Sequence, residues 1–255
     1  MSRHARTIAG AIVGLLYLGC LFLAPAGALQ SLPMSGPFLP PSFAHPLGTD
    51  DLGRDMLAAL AQGGRTSLMV ATVTALLGVG LGMVVGIAAG LGTRWLDDLL
   101  MRTADMVLSL PALLVAILVA SLFGGSSLNL SLVLGLTRWP TIARIVRAET
   151  LSLRHSDFVR SSVAVGTRPV AIAFRHVLPH VSPTALSAAG IVFGGAILSE
   201  AALAFVGLGD PGLTSWGQLI AAGYTFFDRA WWMWAFPALA LCSTSALVAL
   251  VSSRE

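Results

Sequence analysis

From Thr66 to Gly92 the chain runs for 27 residues without a charged side chain. A helix rises about 1.5 Å per residue, so about 20 apolar residues cross the hydrocarbon core of a bilayer. Comparable runs recur at Ile8 to Ala26, about Thr103 to Phe123, Leu128 to just past Arg144, about Pro183 to Val206 and about Trp231 to Val251. Composition agrees: 56% of residues are hydrophobic and 11% charged, where soluble domains carry about 25% charged residues. The chain reads as an all-α membrane protein with six transmembrane helices. The first run has the basic start and small-residue end of a signal peptide. Its length and the spans that follow favour an uncleaved helix. Trp231, Trp232 and Trp234 at the mouth of the last run mark a membrane boundary.

Every basic residue other than histidine is arginine; there is no lysine. A phosphate-binding P-loop needs a lysine, as does Schiff-base chemistry, so the chain has no ATPase or Schiff-base activity of its own. Cys20 and Cys242 both fall in apolar runs and read as packing residues, not as a disulfide or metal framework. Six spans put both termini on one side. With that side in the cytoplasm, eleven arginines lie inside, three outside (Arg54, Arg65, Arg229) and Arg138 lies within the fourth span. The positive-inside rule therefore places both termini in the cytoplasm. The chain divides into an N-terminal transmembrane helix (1–26), a periplasmic segment (27–65), a five-helix core (66–251, with a cytoplasmic loop at 150–180) and a cytoplasmic tail (252–255).

That loop holds "DFVRSSVAVGTRPVAIAFRHVLPH", Asp157 to His180. Asp157 is placed to N-cap a short helix, and Gly166 to end it in the left-handed conformation. Thr167 is placed to cap a second helix with Pro169 in its first turn, and Pro179 to end that one. Two short helices with basic and apolar faces suit a protein partner. A basic loop that only sets topology or touches headgroups is the alternative on the residues alone.

The spacing of this stretch resembles the cytoplasmic EAA loop of ABC importer permeases. Gly166 is followed by nine residues and then His176, Val177, Leu178 and Pro179, matching the family's glycine and Leu-Pro spacing. Arg160, Ser161 and Ser162 stand where the family has Glu-Ala-Ala, and His176 where it has Ile. "HPLGTDDLGRD" (His45 to Asp55), "RTADMVLSLPALL" (Arg102 to Leu114), "LTRWPTIARIVRAE" (Leu136 to Glu149) and "SEAALAFVGLGDPGLTSWG" (Ser199 to Gly217) resemble, in order, segments of dipeptide, oligopeptide and nickel permeases. The resemblance implies the type I importer permease fold. It also implies a second permease forming a heterodimer, two ATPase subunits carrying ATP and magnesium, and a periplasmic binding protein that delivers a peptide, nickel or metal chelate. It implies no cofactor in this chain and a bacterial inner-membrane location. The ATPase-coupling residues it implies are Asp157, Phe158, Val159, Arg160, Ser161, Ser162, Gly166, Arg175, His176, Leu178 and Pro179.

Arg138, Glu200 and Trp216 are candidates for the pathway or its gate. An ionisable group at membrane depth is a functional candidate by default, although Glu200 reads better as a hydrogen-bonded glutamate holding its helix to its own loop. Arg138 faces an anionic substrate, snorkels or pairs with an acid. Asp105 is placed to pair with Arg102 one turn away. Asp50, Asp51, Arg54 and Asp55 form a patch for contact with the binding protein, or a solvated loop. His155, His176 and His180 lie among arginines and read as structural, and His45 as isolated. "GLGDPGL" follows no strand and is not a nucleotide loop. A self-contained secondary transporter or channel is the competing class, but the chain shows no internal repeat. A hydrolase built on Ser126 or Ser127 lacks a histidine within a span.

Overall fold

The computed structural model describes residues 35–252 and, before them, only Gly19. The first apolar run, Cys20 and the tail at 253–255 thus lie outside the described residues. Among the described residues, eight helices make up the fold: α1 (Met56–Leu91), α2 (Arg94–Ser109), α3 (Ala112–Phe123), α4 (Ser127–Arg154), α5 (Asp157–Ala164), α6 (Pro169–Phe205), α7 (Trp216–Tyr224) and α8 (Trp232–Ser252). These residues contain no strand, only an isolated bridge between Thr49 and Asp55.

Three helices, α1, α6 and α8, are long and apolar enough to cross a membrane, and α2 with α3 makes a fourth if taken as one bent span. That bend, 76°, breaks the expected straight helix at 103–123. Proline explains it. Pro111 offers no N–H to a continuing helix, and Leu110 before it is held extended, at φ −89° and ψ 126°. The stretch from Arg94, expected as loop, is instead the start of α2, capped by the Thr93 hydroxyl. α1 begins at Met56, ahead of the apolar run, because the Asp55 carboxylate accepts from the Leu57 and Ala58 N–H groups. α4 continues to Arg154, well past Arg144 where its apolar character fades.

The core is built on the crossing of α1 and α4. Gly78, Gly82, Gly86 and Gly90 recur every fourth residue on one face of α1. A Cβ on Gly82 would stand 2.5 Å from the Cβ of Ile142, one on Gly86 2.7 Å from Ala143 O, and one on Gly90 2.5 Å from the Thr150 Cγ2. Only hydrogen fits at these points, so the two backbones run in close contact. Gly135 of α4 returns the contact against Leu77, and the Thr74 hydroxyl donates to Ser131 O across the seam. α6 packs on the same pair through Val192, Val181 and Val177, which share a core with Val79, Ile142 and Val146. α8 closes the far side against α6.

The arginine-rich end is tied by ion pairs. Arg147 on α4 grips Asp97 of α2 with two parallel bonds, Nε to Oδ1 at 2.5 Å and Nη2 to Oδ2 at 2.6 Å. Arg144 pairs with Asp105, so Asp105 reaches across to α4 and not back to Arg102. Arg154 reaches back to the carbonyls of Gly90 and Gly92, at 3.4 Å each, at the open end of α1. At the opposite end, Trp232 is buried under the 35–55 segment, donating from Nε1 to Thr49 O at 3.1 Å. Of the expected interfacial tryptophans, Trp231 is exposed while Trp232 serves as a peg for that segment.

The seam predicts a contrast. Gly86→Val should force α1 off α4 and cost about 1–3 kcal/mol, the usual penalty of overpacking. Gly80→Val, whose added Cβ meets nothing within 4 Å, should be nearly neutral. Thermal unfolding midpoints of the two purified variants in detergent check this. Equal midpoints would show that the seam does not set the packing.

Candidate functional site

The loop after α4 folds as two short helices around one glycine. Ser156 and not Asp157 is the N-cap of α5, and its hydroxyl turns back to Leu153 O. Asp157 is the first helical residue, where its negative charge still suits the positive end of the helix. Gly166 sits at φ +82°, the left-handed conformation expected of it. The space beside it is open, with nothing within 4 Å of where a Cβ would stand, so the glycine is required by backbone geometry and not by crowding. The next helix is capped at Arg168, one residue beyond Thr167, with Pro169 at its first position.

Pro179 does not end that helix. Leu178 N–H bonds to Ala173 O five residues back, and Ala173–Val177 forms a single π turn just before the proline. A wider turn absorbs a proline's missing N–H and bulky ring, so the helix passes through. The helix that starts at Pro169 is therefore the same helix that ends at Phe205.

Around the glycine, Val159, Ile172 and Val177 turn inward and join the core of α1 and α4. Phe158, Val163, Val165, Val170 and Phe174 turn outward, between 41% and 86% exposed. Arg160, Ser161, Arg168 and Arg175 are exposed among them. The outer surface is thus apolar and basic together. The Phe158 ring stacks on His180 at 5.3 Å and lies tilted against His176 at 6.0 Å. His176 Nε2 lies 3.3 Å from the Ser162 hydroxyl, so the residue standing in place of Ile braces the two helices against each other. His155 faces Leu151 O, whereas His180 faces His176 O and shares the Phe158 ring with His176. Leu178 with Pro169, Val170, Ala173 and Phe174 lines an apolar groove against α1 and Leu96 of α2, of about 660 Å³.

The pathway candidates meet in the upper half of the bundle. Glu200, 2% exposed, accepts from the Ser67 hydroxyl of α1 at 2.9 Å, and the same oxygen of Ser67 accepts from the Trp216 N–H at 3.2 Å. Trp216 is itself buried, with Nε1 donating to Leu60 O at 2.9 Å. Glu200 and Trp216 thus pin α6, α1 and α7 together. Arg138 lies across α6, its Nη2 donating to the Ser199 hydroxyl at 3.0 Å and to Gly195 O at 3.4 Å.

In the 45–55 patch, the Asp50 carboxylate accepts from the Leu52 and Arg54 N–H groups. Burial pushes this carboxyl above the usual range despite those bonds. Asp55 caps α1 and pairs with His45 Nδ1 at 2.9 Å, so His45 is not isolated. Of the four charged residues in the patch, Asp51 alone is exposed.

Two ties carried no advance signal. Asp97 and Arg147 are 50 residues apart, and nothing in their local spacing points to the pair. Asp210, within the discarded "GLGDPGL", accepts from the Ser127 N–H at 2.8 Å and the Ser127 hydroxyl at 3.0 Å. It caps the start of α4 from the loop that follows α6.

Residues 82–254 match the family described as binding-protein-dependent transport system inner membrane component. The chain belongs to this family. It is a family of permeases and not of enzymes, and with its apolar helices the permease is a multi-pass inner-membrane protein. It is 34% identical to a protein of Brucella abortus biovar 1 (strain 9-941) described as a peptide transport system permease, over 98% of this chain and 86% of the relative. It is 33% identical to the dipeptide transport system permease protein DppC of Alkalihalophilus pseudofirmus, over 91% and 79% respectively. Two inward-facing structures of the MetNI methionine ABC transporter share the fold, with TM-scores of 0.63 and 0.64 over 77% of this chain and 94% of theirs, at 19% and 20% identity. The permease is thus a subunit of an ABC importer with the type I permease fold.

Asp210 gives a pH test. Burial acts to raise its carboxyl, but the Ser127 and Gly212 N–H groups and the Ser127 hydroxyl outweigh it and hold the carboxyl below its ordinary value. A lowered pKa in the folded state stabilises above the ordinary value of about 3.9 and is lost as pH falls through the folded value. Asp210→Asn should therefore be less stable than the parent near neutrality, and the gap should close below about pH 4. Unfolding midpoints of both proteins across that range check it. A gap independent of pH would contradict the role given to the carboxylate.

Proposed function

We propose that the permease forms half of the pathway of a peptide importer and takes its driving energy through the loop at 157–178. The arginine-rich end, with both termini, faces the cytoplasm in this reading, and the 45–55 patch faces the periplasm. A second permease completes the pathway as a heterodimer, two ATPase subunits carrying ATP and magnesium seat below, and a binding protein delivers substrate from outside. The named relatives are peptide permeases, which favours peptides over nickel or metal chelates.

The observation that carries this reading is the construction of the loop. A topology anchor needs only charge. This loop has two defined helices, a glycine at positive φ between them, an outward face of apolar and arginine side chains, and a second helix continuous with a membrane-spanning one. Such a face suits a cleft in another protein, and the continuity lets motion there tilt α6. Alternation between inward and outward openings then becomes a rigid movement of packed helices.

Because the space beside Gly166 is open, a substitution there acts through the backbone alone. Valine strongly disfavours positive φ, whereas asparagine tolerates it. Gly166→Val should insert and pair with the second permease but lose most peptide-stimulated ATP hydrolysis and uptake in proteoliposomes. Gly166→Asn should keep most of both. Full coupling in Gly166→Val would reduce the loop to a topology anchor and overturn the reading.

A further inference from the structure

Arg138 is a cation without a counter-charge among the described residues. It lies 11 residues into α4, with Ser127 at one end of the helix and the ion-paired Arg144 and Arg147 toward the other. At about 1.5 Å per residue that is about 16 Å from the Ser127 end, near half the thickness of a bilayer's hydrocarbon core. Among the described residues no carboxylate lies within ion-pair distance of its guanidinium. Glu200, beside Ser199 in sequence, turns to Ser67 instead. The acceptors it does reach are neutral and already engaged with each other, since the Ser199 hydroxyl donates to Gly195 O at 2.7 Å. Arg138 Nε is buried with no acceptor among the described residues.

The surroundings are shaped for this side chain. A Cβ on Gly195 would stand 2.9 Å from Nη1, and one on Gly78 3.3 Å from the Arg138 Cβ. Glycine at both places lets the arginine lie flat across α6. Ile191 and Leu198, four residues before and three after Gly195 and so on its face of α6, are 71% and 46% exposed. The guanidinium therefore lies at the edge of a face the described chain leaves uncovered. Hydrocarbon beside a half-satisfied guanidinium is costly, which favours a polar pathway on that side. The planar fork of an arginine matches a carboxylate with two parallel bonds, a match an ammonium lacks.

We infer that Arg138 receives the C-terminal carboxylate of a peptide as it passes mid-membrane, making it a specificity-determining residue. This rests on the peptide-importer reading above. The same carboxylate chemistry supplied instead by an acidic side chain of the second permease would give a different experimental result.

The test uses the full assembly in proteoliposomes, with ATP inside and binding protein outside. Uptake of short alanine peptides is compared with uptake of the same peptides amidated at the C-terminus. Any preference of the binding protein is common to all permease variants and cancels when their acid-to-amide ratios are compared. Losing a hydrogen-bonded charge partner should lower that ratio roughly tenfold in Arg138→Gln, by slowing the free acids while sparing the amides. Arg138→Lys, which keeps the charge and loses the fork, should fall between. Equal losses for acids and amides, or failure of both variants to assemble, would make Arg138 a strap or the partner of a protein carboxylate and overturn the inference. An unchanged ratio in both variants would also overturn it. If the parent complex hydrolyses ATP but imports neither peptide set, the peptide reading itself falls and the inference with it.

Discussion

The closeness of α1 to α4 underlies the rest of the structure. Glycine at every fourth position lets two backbones meet where a side chain on Gly82, Gly86 or Gly90 would collide with Ile142, Ala143 or Thr150. In a bilayer the lipid tails are as apolar as the side chains, so burial of apolar surface does not by itself hold helices together. Dense packing and a few interhelical hydrogen bonds do. The seam provides both, with Thr74 donating across it to Ser131. Once α1 and α4 are fixed, Asp97 and Asp105 of α2 meet Arg147 and Arg144, and α6 has a groove in which to lie.

The rigid pair also frames the loop. Val159, Ile172 and Val177 insert beneath the seam's lower end, beside Val146, and so give the two short helices a floor. Their other faces remain outward and apolar. The proposed function follows from this division: one side of the loop is bonded to the bundle and the other is free for a partner. The π turn matters because it lets a proline sit within α6 without breaking the helix between the loop and the membrane. Higher up, Glu200, Ser67 and Trp216 join α6 to α1 and α7, so a tilt of α6 does not remain local to it.

What the sequence made legible was whatever depends on local chemistry. The apolar runs marked α1, α6 and α8, and Gly166 announced its left-handed turn. Helix limits were less readable because they depend on single groups: Asp55 extends α1 backward, and Pro111 breaks a run whose hydropathy is continuous. Pro179 deceived in the other direction, since a widened turn accommodates a residue that ordinarily ends helices. The site's framework was least readable. Asp97 with Arg147 and Asp210 with Ser127 are contacts between distant segments, and Asp210 stood in a glycine-rich string that resembles a loop motif of another kind. Yet the glycine period in α1 was present in plain view as spacing, and only the partner that it contacts was hidden.

In the proposed mechanism α6 carries motion from the loop into the membrane as one stiff body. Phe174 and Leu198 are both exposed on that helix, on opposite sides of Pro179. Spin labels at these two positions, in the assembled transporter with native cysteines replaced, report the helix's internal length by pulsed electron paramagnetic resonance. A second pair, Phe174 and Leu81 of α1, reports its position against the seam. Trapping the ATP-bound state should leave the first distance unchanged and shift the second. A change in the Phe174–Leu198 distance on ATP binding would place a hinge at the π turn and contradict a stiff α6.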